Sequence, residues 1–329
     1  MYHSIIVDDY LDSLNLMRGS PDLVTAAEVD VLATRTRAAL DFLHDICRPD
    51  GGIPLFNDSA SGVAPSLEAL SDYAERIVGY EPPAQAQGLS VSSRDASGYY
   101  VIRHDGDMLV VDCGELGPSY QPGHAHCDTL SFELTIDGRP LIVDSGVYDY
   151  DDSEMRRYVR STRAHNTAII DGCEQSELWG VFRVGRRARP IDGRVETIGE
   201  SRARFSGSHD GFVGLPGRPV HARDIEYATE GIWTVVDRFA GKGEHRIDTF
   251  VHLHPDLKAR LAGRAILVAD PKGEAVAEIE VLDAEEITLE KGWYCPEFGK
   301  RQENVVIRLS SSGPLPRRLG YRIVKRTRK

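Results

Sequence analysis

Apolar positions in the first eighty residues recur at intervals of three and four. Ala26, Val29, Ala33, Thr36, Leu40, Leu43 and Cys47 line one face of a helix whose end is marked by Pro49-Asp50-Gly51-Gly52. Thr25 and Glu28 have the spacing of a capping box at its start. A shorter helix over about residues 4–18 and another over about 66–78, with Leu67, Leu70, Ala74 and Ile77 on one side, complete a helical segment over 1–80. Three helices rarely cover all their own apolar stripes, so a further layer is expected to pack on them. Residues 81–97 are rich in Pro, Ala, Gln, Gly and Ser and lack either period, which predicts a linker.

From residue 98 to 329 the pattern is that of strands: β-branched and aromatic runs broken by turn dipeptides such as Asp105-Gly106, Asp137-Gly138 and Glu230-Gly231. No helix-length period interrupts them, so a large antiparallel β-sandwich is expected. One hairpin can be read in register. A two-residue turn at Asp137-Gly138 sets Ile136 opposite Arg139, Leu134 opposite Leu141, Phe132 opposite Val143 and Ser131 opposite Asp144. Asp144 then falls on the face away from the core, free to bind something.

Composition narrows the class. A chain of 329 residues, 41% apolar and 27% charged, has room for one large domain or one and part of another. No apolar run reaches the roughly 18 residues of a spanning helix, and the N-terminus lacks the pattern of a signal peptide. As written the chain reads as cytoplasmic, although a missing N-terminus would remove any signal. A net charge of −12 argues against a general nucleic-acid binder. The charge is uneven: residues 1–90 hold 14 acids against 5 bases, whereas 156–189 hold eight Arg against three acids. Such an Arg cluster in an acidic protein can hold an anionic ligand. Cys47, Cys113, Cys127, Cys173 and Cys295 are widely spaced and form no C-x-x-C pair, so buried thiols are expected.

The chemistry is concentrated between Gly123 and Arg189. Gly-His-Ala-His-Cys-Asp (123–128) is followed by Val-Asp-Ser-Gly-Val-Tyr-Asp-Tyr (143–150) and Arg-Arg-Tyr-Val-Arg-Ser-Thr-Arg-Ala-His-Asn-Thr (156–167). His126, Asp144 and His165 are donor types suited to zinc, iron or another divalent metal. Asp128 is placed to orient an imidazole, and Asn166 to satisfy local backbone groups.

In this order the motifs resemble the signature of the heparinase II/III-like β-sandwich domain, shared by alginate and glycosaminoglycan lyases, closely over about residues 120–190 and loosely beyond. The resemblance implies that the first helices are the last of an incomplete α/α toroid, truncated at the N-terminus, and that Met-Tyr-His-Ser-Ile-Ile carries a catalytic tyrosine, Tyr2. It implies His124 as the catalytic histidine and His126, Asp144 and His165 as ligands of a mainly structural zinc. The implied activity is β-elimination on a uronate-containing acidic polysaccharide, in which a tyrosine removes and donates protons while a cation or amide neutralises the uronate carboxylate. Arg160 or Arg163 could meet that carboxylate, and Tyr148, Tyr150, Tyr158 and Trp179 are candidate sugar contacts.

The family also draws an asparagine or histidine from helices upstream of the tyrosine, so a chain lacking them is expected to be weakly active and to self-associate through exposed helices. Three other readings remain. A non-catalytic zinc-containing carbohydrate-binding module would bind without turnover. A glycoside hydrolase would use paired carboxylates such as Asp149, Asp151, Asp152 or Glu154. A non-haem iron oxygenase would use His126 and Asp128 with His165, His221 or His254.

Overall fold

The computed structural model describes residues 1–84 and 87–326. Three helices open the chain: α1 (Tyr2–Gly19), α2 (Ala26–Ile46) and α3 (Leu67–Val78). The expected capping box at Thr25 and Glu28 forms, each side chain satisfying the other's backbone N–H. From Ala33 onward the periodic face predicted for α2 is the buried one: Ala33, Leu40 and Leu43 meet Val7, Leu11 and Leu14 of α1 and Leu70, Ala74 and Ile77 of α3 in one apolar cluster, and Thr36 is buried beside them. Leu16, Leu23 and Val31 stay exposed on the outside of this layer.

Strands begin earlier than expected. β1 (Ser90–Arg94) lies inside the stretch read as a linker and pairs with β2 (Tyr99–His104). Residues 85 and 86 of that linker lie outside the described residues. β3 (Asp107–Asp112), β4 (Phe132–Ile136) and β5 (Arg139–Ile142) complete a five-stranded antiparallel sheet. A seven-residue helix, α4 (Glu154–Arg160), interrupts the strands where none was expected.

After β6 (Ala168–Ile170) and the short hairpin of β7 (Leu178–Trp179) and β8 (Arg183–Val184), the chain runs through long hairpins. These are β9 (Pro190–Ile198), β10 (Arg202–His209), β11 (Val220–Ala228), β12 (Ile232–Ala240) and β13 (Glu244–His252). β14 (Lys258–Ala262), β15 (Ala265–Ala269), β16 (Ala275–Val281), β17 (Glu286–Glu297), β18 (Lys300–Pro314) and β19 (Arg317–Lys325) follow. Eight of them form one antiparallel sheet in the order β14-β15-β16-β19-β12-β11-β10-β9, and β17-β18-β13-β6 form a smaller one.

The smaller sheets join where Ile142 bridges Leu253, with Val143 N–H donating to the His252 carbonyl and His254 N–H to that of Leu141. Together they face the eight-stranded sheet across one core: Ile102, Val111, Phe132 and Leu134 meet Phe205, Trp233, Val235 and Tyr321, with Ile247 and Leu309 from the third sheet. The fold is a large antiparallel β-sandwich, as the hairpin pattern implied.

Two details of the β4–β5 hairpin depart from the expected register. Ile136 does face Arg139, but the ladder slips between Thr135 and Leu134, so that Leu134 faces Ile142 rather than Leu141. β4 is buried on both sides, because the chain after α2 covers the face expected to be open. Phe56 packs on Val101, Met108 and Val110 there, and Glu133 receives Arg48 and the Leu55 N–H. Asp144, expected on an open face, is fully buried.

Candidate active site

The site forms where the helical layer lies over the loops of the sandwich. Met1 is buried against Ala60 and Val147, which seats the start of α1 beside the 143–150 loop. Tyr2 therefore reaches His124 although 122 residues separate them: its hydroxyl lies 3.5 Å from His124 Nδ1 and 2.8 Å from the Tyr150 hydroxyl. The Tyr2 and His124 rings are 4.7 Å apart, and Tyr150 and Phe182 close the cluster at 5.8 and 6.5 Å from the imidazole. Tyr2 is 44% exposed and the His124 side chain 48%, so both are open to a ligand. Burial, with the Tyr2 hydroxyl at hydrogen-bond distance, raises the Tyr150 phenol far above its ordinary value and keeps it protonated.

Beneath this cluster lies Asp58, from the loop between α2 and α3. Its carboxylate accepts from His124 Nδ1 at 3.0 Å, from His126 Nε2 at 2.8 Å and from both terminal nitrogens of the Arg156 guanidinium. Burial opposes its charge, but the hydrogen bonds from His126 and Arg156 outweigh that and hold the carboxyl far below the usual range. Arg156 is itself buried, stacked under Tyr150 and Phe182 at 5.0 and 5.5 Å. The neighbouring Asn57, held at φ 55°, accepts from the His126 N–H and donates its own N–H to Asp128.

A second, wholly buried pocket lies behind His126. Among the described residues, ligand atoms of His126, Asp128 and His165 lie within 4.8 Å of one another. His126 Nδ1 and His165 Nε2 have no hydrogen-bond partner, although both are buried. Each ring's other nitrogen is engaged, His126 Nε2 with Asp58 and His165 Nδ1 with Asp144 at 2.8 Å. Those carboxylates place the protons on the outer nitrogens and leave two lone pairs facing one carboxylate. Two unsatisfied buried imidazole nitrogens beside a carboxylate are costly without a partner and match what a divalent metal requires.

Burial lowers the His126 pKa despite Asp58, which suits a neutral donor, whereas at His165 the charge of Asp144 overcomes burial and raises it. Burial likewise raises the Asp128 carboxyl. Of the two carboxylates, Asp128 stands with the free nitrogens, and Asp144 meets His165 Nδ1. A slipped hairpin register and a covered sheet face put Asp144 there.

The remaining candidates disperse. Arg160 is buried and donates to the carbonyls of Ala125 and Gly180, which ties α4 to the histidine loop. Arg163 pairs with Glu290. Tyr150 joins the cluster, whereas Tyr148 lies beside Arg301 and the Tyr158 hydroxyl accepts from the Trp293 N–H. Trp179 is exposed on β7, with its indole N–H on Glu177. Asn166 spends its side chain on the carbonyls of Phe132 and Val143 and the His252 N–H, a backbone brace. In the acidic loop Asp149 accepts from Ser153 and Asp152 pairs with Arg157, and neither joins the cluster.

Sequence reasoning missed Asp58 and Asn57, which sit in a loop without period or motif. Arg156 stood inside a quoted motif, but nothing in the run Arg-Arg-Tyr-Val-Arg distinguishes the arginine that reaches the site.

The structure is thus an antiparallel sandwich with a histidine, tyrosine and arginine cluster at its seam with a helical layer. The chain belongs to the heparinase II/III-like C-terminal family, a polysaccharide lyase family, whose sequence profile matches residues 86–324. In structure it is similar to a heparan sulfate lyase from Pedobacter heparinus, with TM-score 0.74 and 19% identity over 100% of this chain and 52% of that one. A heparinase III structure matches with TM-score 0.75 and 16% identity over 98% of this chain and 53% of that one. The chain thus spans about half the length of these structures. A search of curated proteins found no match.

Proposed function

We propose that this chain supplies the cleft face of a polysaccharide lyase that cleaves uronate-containing acidic polysaccharides by β-elimination. The observation that carries the reading is the meeting of Tyr2 and His124, both exposed, across the seam between the helical layer and the sandwich. Elimination removes a weakly acidic proton from the carbon beside the uronate carboxylate and expels the neighbouring glycosidic oxygen. Tyr2, as the phenolate, takes that proton and passes it to the leaving oxygen; His124, protonated at Nε2 as well as at the Nδ1 that faces Asp58, stabilises the charge that develops on the carboxylate. The heparan sulfate lyase neighbour favours a glycosaminoglycan over other uronates.

His126, Asp128 and His165 would hold a zinc ion, with Asp144 orienting His165; zinc there would staple the 126–128 and 165 loops together. The test is to incubate the chain with heparan sulfate, alginate or polyuronate and follow the ultraviolet absorbance of the conjugated unsaturated uronate. Turnover lost in Tyr2→Phe and His124→Ala supports the lyase reading. Saturable binding of the polysaccharide with no unsaturated product would instead identify a carbohydrate-binding module.

A further inference from the structure

Asp58 has a peculiarity that packing alone does not require. A carboxylate offers four lone-pair sites on two oxygens, and four donors fill them. His126 Nε2 and one Arg156 nitrogen meet Oδ1, while His124 Nδ1 and the other Arg156 nitrogen meet Oδ2. No capacity is left for substrate or metal. Each imidazole must carry its proton on the nitrogen that faces Asp58, so His124 keeps Nε2 for the cleft and His126 keeps Nδ1 for the buried pocket. The two histidines are two residues apart in a loop and differ completely in exposure, yet they share one carboxylate.

We propose that Asp58 is a positioning residue which fixes the ring orientation and tautomer of both His124 and His126, and so couples occupancy of the buried pocket to the geometry of the cleft. The coupling is physical. A cation held at His126 Nδ1 would withdraw electrons from that ring and strengthen its N–H donation to Oδ1, which would draw the carboxylate toward His126 and loosen its hold on His124. Arg156 keeps the carboxylate charged and limits how far it can swing. The proposal rests on the reading of His124 as the cleft histidine, but its test does not need turnover.

The full chain, labelled with ¹⁵N at histidine, is compared by imidazole nitrogen resonances with and without added zinc at neutral pH. Asp58→Asn is the isosteric variant: an amide accepts at one atom and donates at the other, so it cannot satisfy two imidazole N–H groups at once. The wild type should show His124 protonated at Nδ1 and His126 at Nε2. In Asp58→Asn at least one of these should switch tautomer or average, with zinc affinity about 10–100-fold weaker. Asp107→Asn removes a buried carboxylate elsewhere, one that holds Lys325. It should lower the melting temperature and leave both imidazoles unchanged.

If Asp58→Asn does not fold, the wild type still decides the matter: zinc should shift the His124 resonances although His124 is not a ligand. Unaltered His124 and His126 tautomers in folded Asp58→Asn, or zinc that moves His126 and His165 while leaving His124 unaffected, would overturn the proposal. Tautomers that change as expected in a chain that never forms unsaturated product would overturn the lyase reading and leave this one standing.

Discussion

At the scale of single residues, the histidines divide by what surrounds each nitrogen. His124 and His126 are the same residue type two positions apart, and spacing alone would send both to one metal. Burial and the unpaired Nδ1 separate them. His126→Ala is expected to lower both zinc content and melting temperature, while His124→Ala keeps both; elemental analysis beside thermal melts reads the difference. Between the carboxylates, Asp128→Asn should strip the metal, whereas Asp144→Asn should weaken it about 10–100-fold, as loss of an orienting group does. The reverse order would restore Asp144 as the ligand.

A third histidine sets an acid limit. Burial pushes His252 down to about 4, and its Nε2 donates to the Arg163 carbonyl. Its folded pKa lies below the unfolded value of 6.5, so between those values the unfolded chain binds more protons. Stability should therefore fall as pH drops from 6.5 to about 4, by roughly 1.4 kcal/mol per pH unit for this group. Denaturant melts across that range would show a plateau instead if His252 were free to ionise in the fold.

At the scale of elements, periodicity was informative where one face of an element meets one environment. α2 has a single buried stripe and a local cap, both contained in adjacent residues, and both form as read. Thr25→Ala should cost about 1 kcal/mol by removing the cap on the Glu28 N–H, measurable as a lower denaturation midpoint. The β4–β5 hairpin shows the opposite case. Its turn is local and sets Ile136 opposite Arg139, but the burial of Glu133 depends on Arg48 and Leu55, some eighty residues away. No pattern within the hairpin records what will cover it.

At the scale of the whole molecule, the site depends on docking the helical layer to the sandwich. Arg48 reaches Glu133 at 3.3 Å across this seam, with both side chains largely buried. Arg48→Met would leave that carboxylate buried and uncompensated, at a cost of about 3–5 kcal/mol. Because the same seam brings Tyr2 over His124, the variant should lose protection of the 47–60 loop in hydrogen exchange and any turnover together. Loss of stability with the seam still protected would place the strain inside the sandwich instead.

The sequence by itself determined the local and the repetitive: three amphipathic helices, an antiparallel β-sandwich built from hairpins, and the motif run from Gly123 to Arg189 that marks the family. These follow from period, turn chemistry and motif order, which neighbouring residues carry among themselves. The tertiary structure alone decided which nitrogens each carboxylate faces. Asp58, Asp128 and Asp144 are chemically alike, and their surroundings differ through the slip in one ladder and the loop that buries them. A hydrogen bond between residues tens of positions apart leaves no periodic trace in the chain, because either partner alone is compatible with an ordinary surface. Only when folding removes water from both does the pairing become obligatory.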